Sequence, residues 1–117
     1  MNDTFDQIET IEVKTSGGFK IICKKHILYV KAEKKFSIIH FDNHIEIITY
    51  NSLKWYSKYL ANPLFFRCHN SYIVNCCLID CYNYKEVIMK GGEKILLARN
   101  RRESFKGNLE LVVQRLS

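Results

Sequence analysis

The chain has 117 residues, of which 47% are hydrophobic and 26% are charged. This length supports one domain with a single modest core and is too short for two. The composition is ordinary for a globular protein, so a disordered or membrane-spanning chain is a poor interpretation. Lys and Arg outnumber Asp and Glu by 18 to 12, and the net charge of +6 favours a polyanionic partner, either a nucleic acid or an acidic protein.

The first residues of the chain, Met1–Gln7, are acidic and polar. They lack the basic start and apolar centre of a secretory signal, so we expect a cytoplasmic protein that does not engage a membrane. We assign residues 1–9 to an N-terminal tail and residues 10–117 to one domain.

The five cysteines are odd in number and irregularly spaced, which argues against a disulfide-stapled secreted fold. The cysteines could instead form a zinc site, with Cys76, Cys77, Cys81 and Cys68-His69 as ligands. No Cys-x-x-Cys pair is present, however, and adjacent cysteines chelate poorly. We therefore expect no metal and small thiols that pack as apolar core, while redox sensitivity of Cys68 depends on its exposure.

The first half of the chain alternates short apolar stretches with turn residues, as in an antiparallel meander. Apolar residues alternate on both sides of Ser16-Gly17-Gly18, which predicts a β-hairpin. Three more strands are predicted over 27–32, 36–41 and 45–50, joined by turns at 33–35 and 42–43. In the first of these strands, alternation places Ile27, Tyr29 and Lys31 on one face and Leu28 and Val30 on the other.

Helical spacing appears twice. Asn51 or Ser52 can cap a helix with Leu53, Tyr56 and Leu60 on its apolar face, and we assign the neighbouring Trp55 and Tyr59 to the core. Asn62-Pro63 ends this helix. A C-terminal helix is predicted from apolar residues repeating at three and four, with Asn100 and Glu103 as a capping box; its apolar residues are Phe105, Leu109, Val112, Val113 and Leu116.

Between the helices, the stretch 65–75 alternates from Phe66, loses the alternation near Asn70 and regains it at Tyr72. This pattern predicts two strands joined by an exposed bend at Asn70 and Ser71. Further strands are predicted over 79–84, 86–90 and 94–98, with a glycine-pair hairpin turn at 90–93. The architecture is thus mainly β, with about ten short strands and one or two short helices.

The sequence contains no convincing catalytic constellation. His40 and His44 straddle a turn, the two glycine pairs lack the strand-to-helix context of a phosphate loop, and Cys68 and His69 point to opposite faces of a strand. We expect neither enzymatic activity nor a cofactor.

The stretch Phe65–Asn75 matches the pattern F-[FVI]-R-x-H-x-S-[YF]-x-[VI]-N, which resembles the signature of the LytTR-type DNA-binding domain of bacterial transcription regulators. Ile27–Ala32, Ser52-Leu53 and Ala98–Arg102 are similar to other elements of that family, in the same order. The resemblance covers about residues 10–116. Its two departures are Lys31, where the family has an acidic residue, and Ala98, where it has Ser.

The resemblance implies an elongated antiparallel β-β-β sandwich that binds double-stranded DNA from loops in successive major grooves, usually as pairs on direct repeats. It also implies the output domain of a response regulator, with a receiver or sensor attached in most members. Base contacts carry over to Asn70, Arg99 and Lys35, and phosphate contacts to Lys34, Arg101 and Arg102. Arg67, His69 and Ser71 are expected to brace the loop.

Two alternatives to duplex DNA binding remain at this point. One is a small basic β protein-interaction module with an acidic partner. The other is single-stranded RNA binding, for which Tyr82 and Tyr84 would stack on bases from one sheet face. Duplex binding requires the bends near residues 35, 70 and 99 to lie on a common side.

Overall fold

A computed structural model describes residues 9–113, which form ten strands and two α-helices. In chain order the elements are β1 Thr10–Thr15, β2 Gly18–Cys23, β3 Ile27–Glu33, β4 Phe36–Phe41, β5 Glu46–Thr49, α1 Leu53–Tyr59, β6 Phe65–His69, β7 Tyr72–Asn75, β8 Ile79–Tyr82, β9 Glu86–Met89, β10 Lys94–Leu96 and α2 Arg102–Val112. The mainly β prediction is confirmed. The predicted tail, except Glu9, and the predicted core residue Leu116 lie outside the described residues. No helix within 9–113 has both the length and the apolar character needed to cross a bilayer.

The strands form three antiparallel sheets. A central sheet has the order β5-β4-β3-β7-β6, a hairpin sheet contains β1 and β2, and a third sheet has the order β10-β9-β8. The central sheet separates two cores. The α1-side core consists of Ile11, Val13, Ile22, Ile27, Val30, Ile39, Leu53, Tyr56, Leu60, Phe65 and Ile73. The α2-side core consists of Leu28, Tyr29, Phe66, Cys68, Val74, Cys76, Val87, Met89, Ile95, Leu97, Phe105 and Leu109.

Because both faces of the central sheet are covered, its strands carry apolar residues on both sides. Phe65 and Phe66 illustrate this, since each is buried in a different core. In β3, a register shift between Ile27 and Tyr29 moves Ile27 to the same core as Val30, and Leu28 to the same core as Tyr29. The predicted alternation from Ile27 was therefore wrong, because a β-bulge inserts an extra residue and reverses the faces beyond it.

Helix α1 follows its prediction closely. Ser52 is its N-cap, and the Ser52 Oγ accepts a hydrogen bond of 3.1 Å from the Trp55 backbone N–H. Tyr56 is fully buried, and its hydroxyl lies 2.7 Å from Thr49 Oγ1. Tyr59, which we assigned to the core, is 48% exposed.

The start of α2 differs from its prediction. A 3₁₀ turn over Arg99–Arg101 precedes the helix, so Arg101 rather than Asn100 is the N-cap, and within residues 9–113 no side chain caps it. The predicted capping box was therefore wrong. The backbone N–H of Ala98 is bonded to Cys68 O, and the Arg101 side chain extends to the β6–β7 turn, so the chain turns tightly before the helix begins.

Candidate nucleic-acid interface

Two turns of the central sheet lie side by side. The β3–β4 turn consists of Lys34 and Lys35, and the β6–β7 turn consists of Asn70 and Ser71. Strands β3 and β7 are paired, and the ladder is extended by a 2.8 Å hydrogen bond from the Ala32 N–H to Ser71 O. Lys34 follows Ala32 by two residues, so both turns emerge from the same end of the sheet.

A third turn, which begins at Arg99, lies at the same end of the central sheet but belongs to the segment between β10 and α2. The Ala98 N–H donates to Cys68 O at 2.8 Å, which fastens the chain leaving β10 to strand β6 just before its turn. Arg99, the next residue, begins the 3₁₀ turn and is exposed. The structure thus brings the bends near residues 35, 70 and 99 to one side of the molecule, which we call the turn face.

The β6–β7 turn is held by two arginines. Arg67 Nη2 donates to Asn70 O at 2.7 Å. Arg101 donates from Nη1 to Arg67 O at 3.1 Å and from Nη2 to Asn70 Oδ1 at 3.0 Å. Asn70 itself is exposed, so its amide is oriented by Arg101 without being buried. A carbonyl oxygen has two lone pairs, so this amide keeps one acceptor position and both N–H donors.

His69 and Ser71 also stabilise the turn from within. The Ser71 backbone N–H donates to His69 Nδ1 at 3.0 Å, so this ring nitrogen acts as an acceptor. The His69 ring packs edge-on against Tyr72, with centroids 5.8 Å apart. Ser71 acts here through its backbone groups, one bonded to His69 and the other to Ala32. These contacts place both residues where loop bracing was expected.

The remaining cations have distinct surroundings. Burial, and then the nearby charge of Arg101, lower the pKa of Arg67 from its ordinary value. The Arg102 guanidinium carbon lies 5.7 Å from the centroid of the Tyr84 ring. Lys34, Lys35 and Arg99 are exposed. The turn face therefore combines three exposed cations with an exposed amide, and its half-buried arginines are fixed by neighbouring groups.

Arg101 was expected to contact phosphate; in the structure one of its donors binds Asn70 in the β6–β7 turn and another binds the carbonyl of Arg67 in β6. Sequence spacing gave no signal for this, because the partners lie far away along the chain. Tyr84 was considered with Tyr82 as a platform for RNA bases. Tyr82 packs edge-on against the buried Phe105, at 5.3 Å between ring centroids, and ends strand β8, whereas Tyr84 lies in the turn beyond it.

The five cysteines differ in exposure, and Cys23 is half-buried. Cys68 and Cys76 are buried, and burial raises the pKa of each thiol to about 12. Cys77 and Cys81 are exposed, so the expectation of core thiols was correct for only part of the set. In the part of the chain that the structure describes, no three His, Cys, Asp or Glu side chains converge in a way that could hold a metal ion.

A β scaffold that gathers cationic turns and an oriented amide on one side fits the class of nucleic-acid-binding domains, because such domains need cations for phosphates and donors or acceptors for base edges. Comparison with known proteins agrees with this class. Residues 17–110 match the family model of the LytTr DNA-binding domain. The chain therefore belongs to the LytTr family of DNA-binding domains, which are modules of transcription regulation rather than catalytic domains.

The chain is also similar to particular bacterial regulators and to a solved structure. Accessory gene regulator protein A of Staphylococcus aureus strain N315 is 34% identical over 86 residues, which are 72% of this chain and 35% of that protein. The protein of the same name from strain MRSA252 matches equally well. The chain thus spans about a third of the length of these curated relatives. The LytTr DNA-binding domain of a putative methyl-accepting/DNA response regulator from Bacillus cereus shares the fold, with a TM-score of 0.73 at 22% identity, over 86% of this chain and 96% of that one.

Proposed function

We propose that this domain binds double-stranded DNA sequence-specifically and that its three turns enter successive major grooves on one side of the duplex. The observation that carries the proposal is the pair of backbone hydrogen bonds, Ala32 to Ser71 and Ala98 to Cys68, that gathers the turns on one face. Turns fixed relative to one another can meet a rigid helix together without an ordering cost on binding.

The side chains of the turn face suit distinct roles. Asn70 retains an acceptor and two donors, which is what a paired contact with adenine N6 and N7 requires. Arg99 is exposed, and its planar guanidinium fits guanine O6 and N7. Lys35 is the third proposed base contact, while Lys34 and Arg102 supply charge to phosphates.

Arg101 has two roles in this proposal. Its bonds to Arg67 O and Asn70 Oδ1 orient the reading amide. Its charge and that of Arg67 also add to the positive potential of the turn face. This potential favours binding to the phosphate backbone. His69 and Ser71 keep the turn in shape.

The curated relatives are named as gene regulators, and the Bacillus cereus domain is named as part of a DNA response regulator. We propose that this domain is likewise the output module of a response regulator. We propose that two copies bind direct repeats, because one copy presents only three base-reading side chains and a second copy doubles the sequence that is read.

Selection of bound sites from random duplex DNA tests this function. The full chain should enrich a short motif that recurs in the same orientation at a fixed spacing. Binding to the enriched duplex should weaken steeply with salt. Recovery of no motif, together with a flat salt response, would instead favour a protein-interaction module with an acidic partner.

A further inference from the structure

The β8–β9 turn, residues 83–85, stands beside the turn face. The carbonyl of Lys85 accepts a 2.9 Å hydrogen bond from the Leu97 N–H. Leu97 directly precedes Ala98, whose own N–H is bonded to β6, and Ala98 directly precedes Arg99. The β8–β9 turn is therefore attached to the segment that presents Arg99.

This turn is rigid. Asn83 Oδ1 accepts hydrogen bonds from the backbone N–H groups of Lys85 at 2.8 Å and Glu86 at 2.9 Å. The Asn83 N–H donates in turn to Glu86 O at 2.9 Å. Side chains that project from a turn fixed in this way have a defined direction. Tyr84 and Lys85 both project into solvent, and Tyr84 is 76% exposed.

Tyr84 also has a partner from α2. The Arg102 guanidinium lies over its ring at 5.7 Å, within the range of a cation–π contact. The Arg102 Nε is buried and has no hydrogen-bond partner among residues 9–113. The tyrosine ring therefore contacts the guanidinium of the first residue of α2, which follows the exposed Arg99 by three positions in the chain.

We propose that the β8–β9 turn is a fourth DNA-contacting element, which binds the phosphate backbone and reads no bases. Lys85 supplies a cation to a DNA phosphate. Tyr84 is a positioning residue that holds the Arg102 guanidinium toward the same strand of the DNA. The inference rests on the proposed function. The β8–β9 turn adjoins the cations of the turn face through the segment that presents Arg99. This position, and not charge alone, identifies its partner as the same duplex.

The test compares four variants of the full chain with wild type, on a duplex carrying the selected site and on a scrambled duplex, over a range of salt concentrations. Lys85→Ala should weaken binding about three- to tenfold on both duplexes and reduce the slope of log affinity against log salt by about 0.9. Tyr84→Ala should weaken binding to both, whereas Tyr84→Phe, which keeps the ring, should bind as wild type does. Lys25→Ala is the matched control, because Lys25 is an exposed lysine ahead of β3, at the opposite end from Lys34.

Wild-type affinity and slope in both Lys85→Ala and Tyr84→Ala would overturn the proposal, as would a loss confined to the selected duplex. An equal loss in Lys25→Ala would also overturn it, because the effect would then be one of net charge. Failure of the proposed function would look different, since wild type itself would then show no preference for the selected duplex. Thermal unfolding of each variant separates loss of contact from loss of fold.

Discussion

Arg101 Nη2 donates a 3.0 Å hydrogen bond to Asn70 Oδ1, and Nη1 of the same guanidinium donates to Arg67 O at 3.1 Å. One guanidinium thus binds both the backbone of β6 and the side-chain amide of the β6–β7 turn. An amide held by a cation must direct its oxygen toward that cation, so the NH₂ group of Asn70 is free to point outward. The side chain that we propose to read a base is therefore preorganised by a residue outside its own turn.

Replacement of Arg101 separates this positioning role from a simple phosphate contact. Arg101→Lys keeps the charge but loses the planar fork that binds two acceptors. We expect it to lower affinity for the selected duplex about tenfold while leaving the salt slope close to that of wild type. A double-mutant cycle with Asn70→Ala should show coupling, because the two side chains act together. Additive effects, or full rescue by lysine, would contradict the positioning role.

The base contacts themselves can be tested by truncation. Asn70→Ala and Arg99→Ala should each cost about 1–3 kcal/mol of binding free energy on the selected duplex and relax the preference at one base pair. Neither side chain supports the core, so the unfolding transition should not move. Fluorescence anisotropy on the selected duplex and on single-base variants measures both effects, and unchanged affinity in both mutants would remove the proposed site.

Asn75 tests the scaffold instead of the interface. It is 4% exposed, its Nδ2 donates to Ile27 O at 2.9 Å, and its Oδ1 accepts from the Cys77 N–H at 3.0 Å. Asn75→Ala leaves both partners without a bond, and we expect a loss of about 2–4 kcal/mol in the free energy of unfolding. Urea denaturation should show a lower midpoint at constant slope. The control is Asn43→Ala, which removes a similar bond to the Ile45 N–H at an exposed turn and should cost less than about 1 kcal/mol.

His40 should make stability depend on pH. Its ring stacks on Tyr29 with centroids 4.3 Å apart, and its side chain is only 19% exposed. Burial lowers the pKa of His40 below its ordinary 6.5, and the charge of Lys31 lowers it further, while Glu46 on β5 and Glu93 beyond β9 oppose the shift.

Because the folded state binds this proton more weakly than the unfolded state, the His40 contribution is complete above pH 6.5 and is lost as the pH falls through 6.5 toward the folded pKa. Urea unfolding over this range should show stability rising with pH. His40→Gln should flatten the rise, whereas His44→Asn, at an exposed turn with positive φ, should leave it unchanged. An identical profile in His40→Gln would contradict this assignment.

The sequence predicted what is local. The turn at Asn70-Ser71, the cap at Ser52 and the glycine-pair turn at 90–93 were all found, because each depends on residues a few positions apart. The β3 bulge was missed, since Ile27 to Val30 are all apolar and a strand buried on both faces shows no alternation to interrupt.

The assembly of the turn face could not be predicted from spacing at all. Its decisive contacts, Ala32 with Ser71 and Arg101 with Asn70, join segments that only the folded chain brings together. For the same reason the sequence showed no sign of the hydrogen bonds that Arg101 makes or of the bond that joins the β8–β9 turn to Leu97. The family resemblance pointed to these turns as the candidate DNA contacts, whereas the hydrogen bonds between them come from the structure.

The two cores separated by the central sheet have unequal consequences for DNA recognition. Lys35 and Asn70 belong to turns of one continuous sheet, so their separation is set by strand pairing. Arg99 reaches the same face from the third sheet, which rests on the central sheet through the α2-side core. Loosening that core would shift the Arg99 turn relative to the other two turns, whereas loosening the α1-side core would weaken the support of the turns and keep their spacing. Two mutations that lower the free energy of unfolding equally, one in each core, would thus differ in how much they reduce the preference for one DNA sequence.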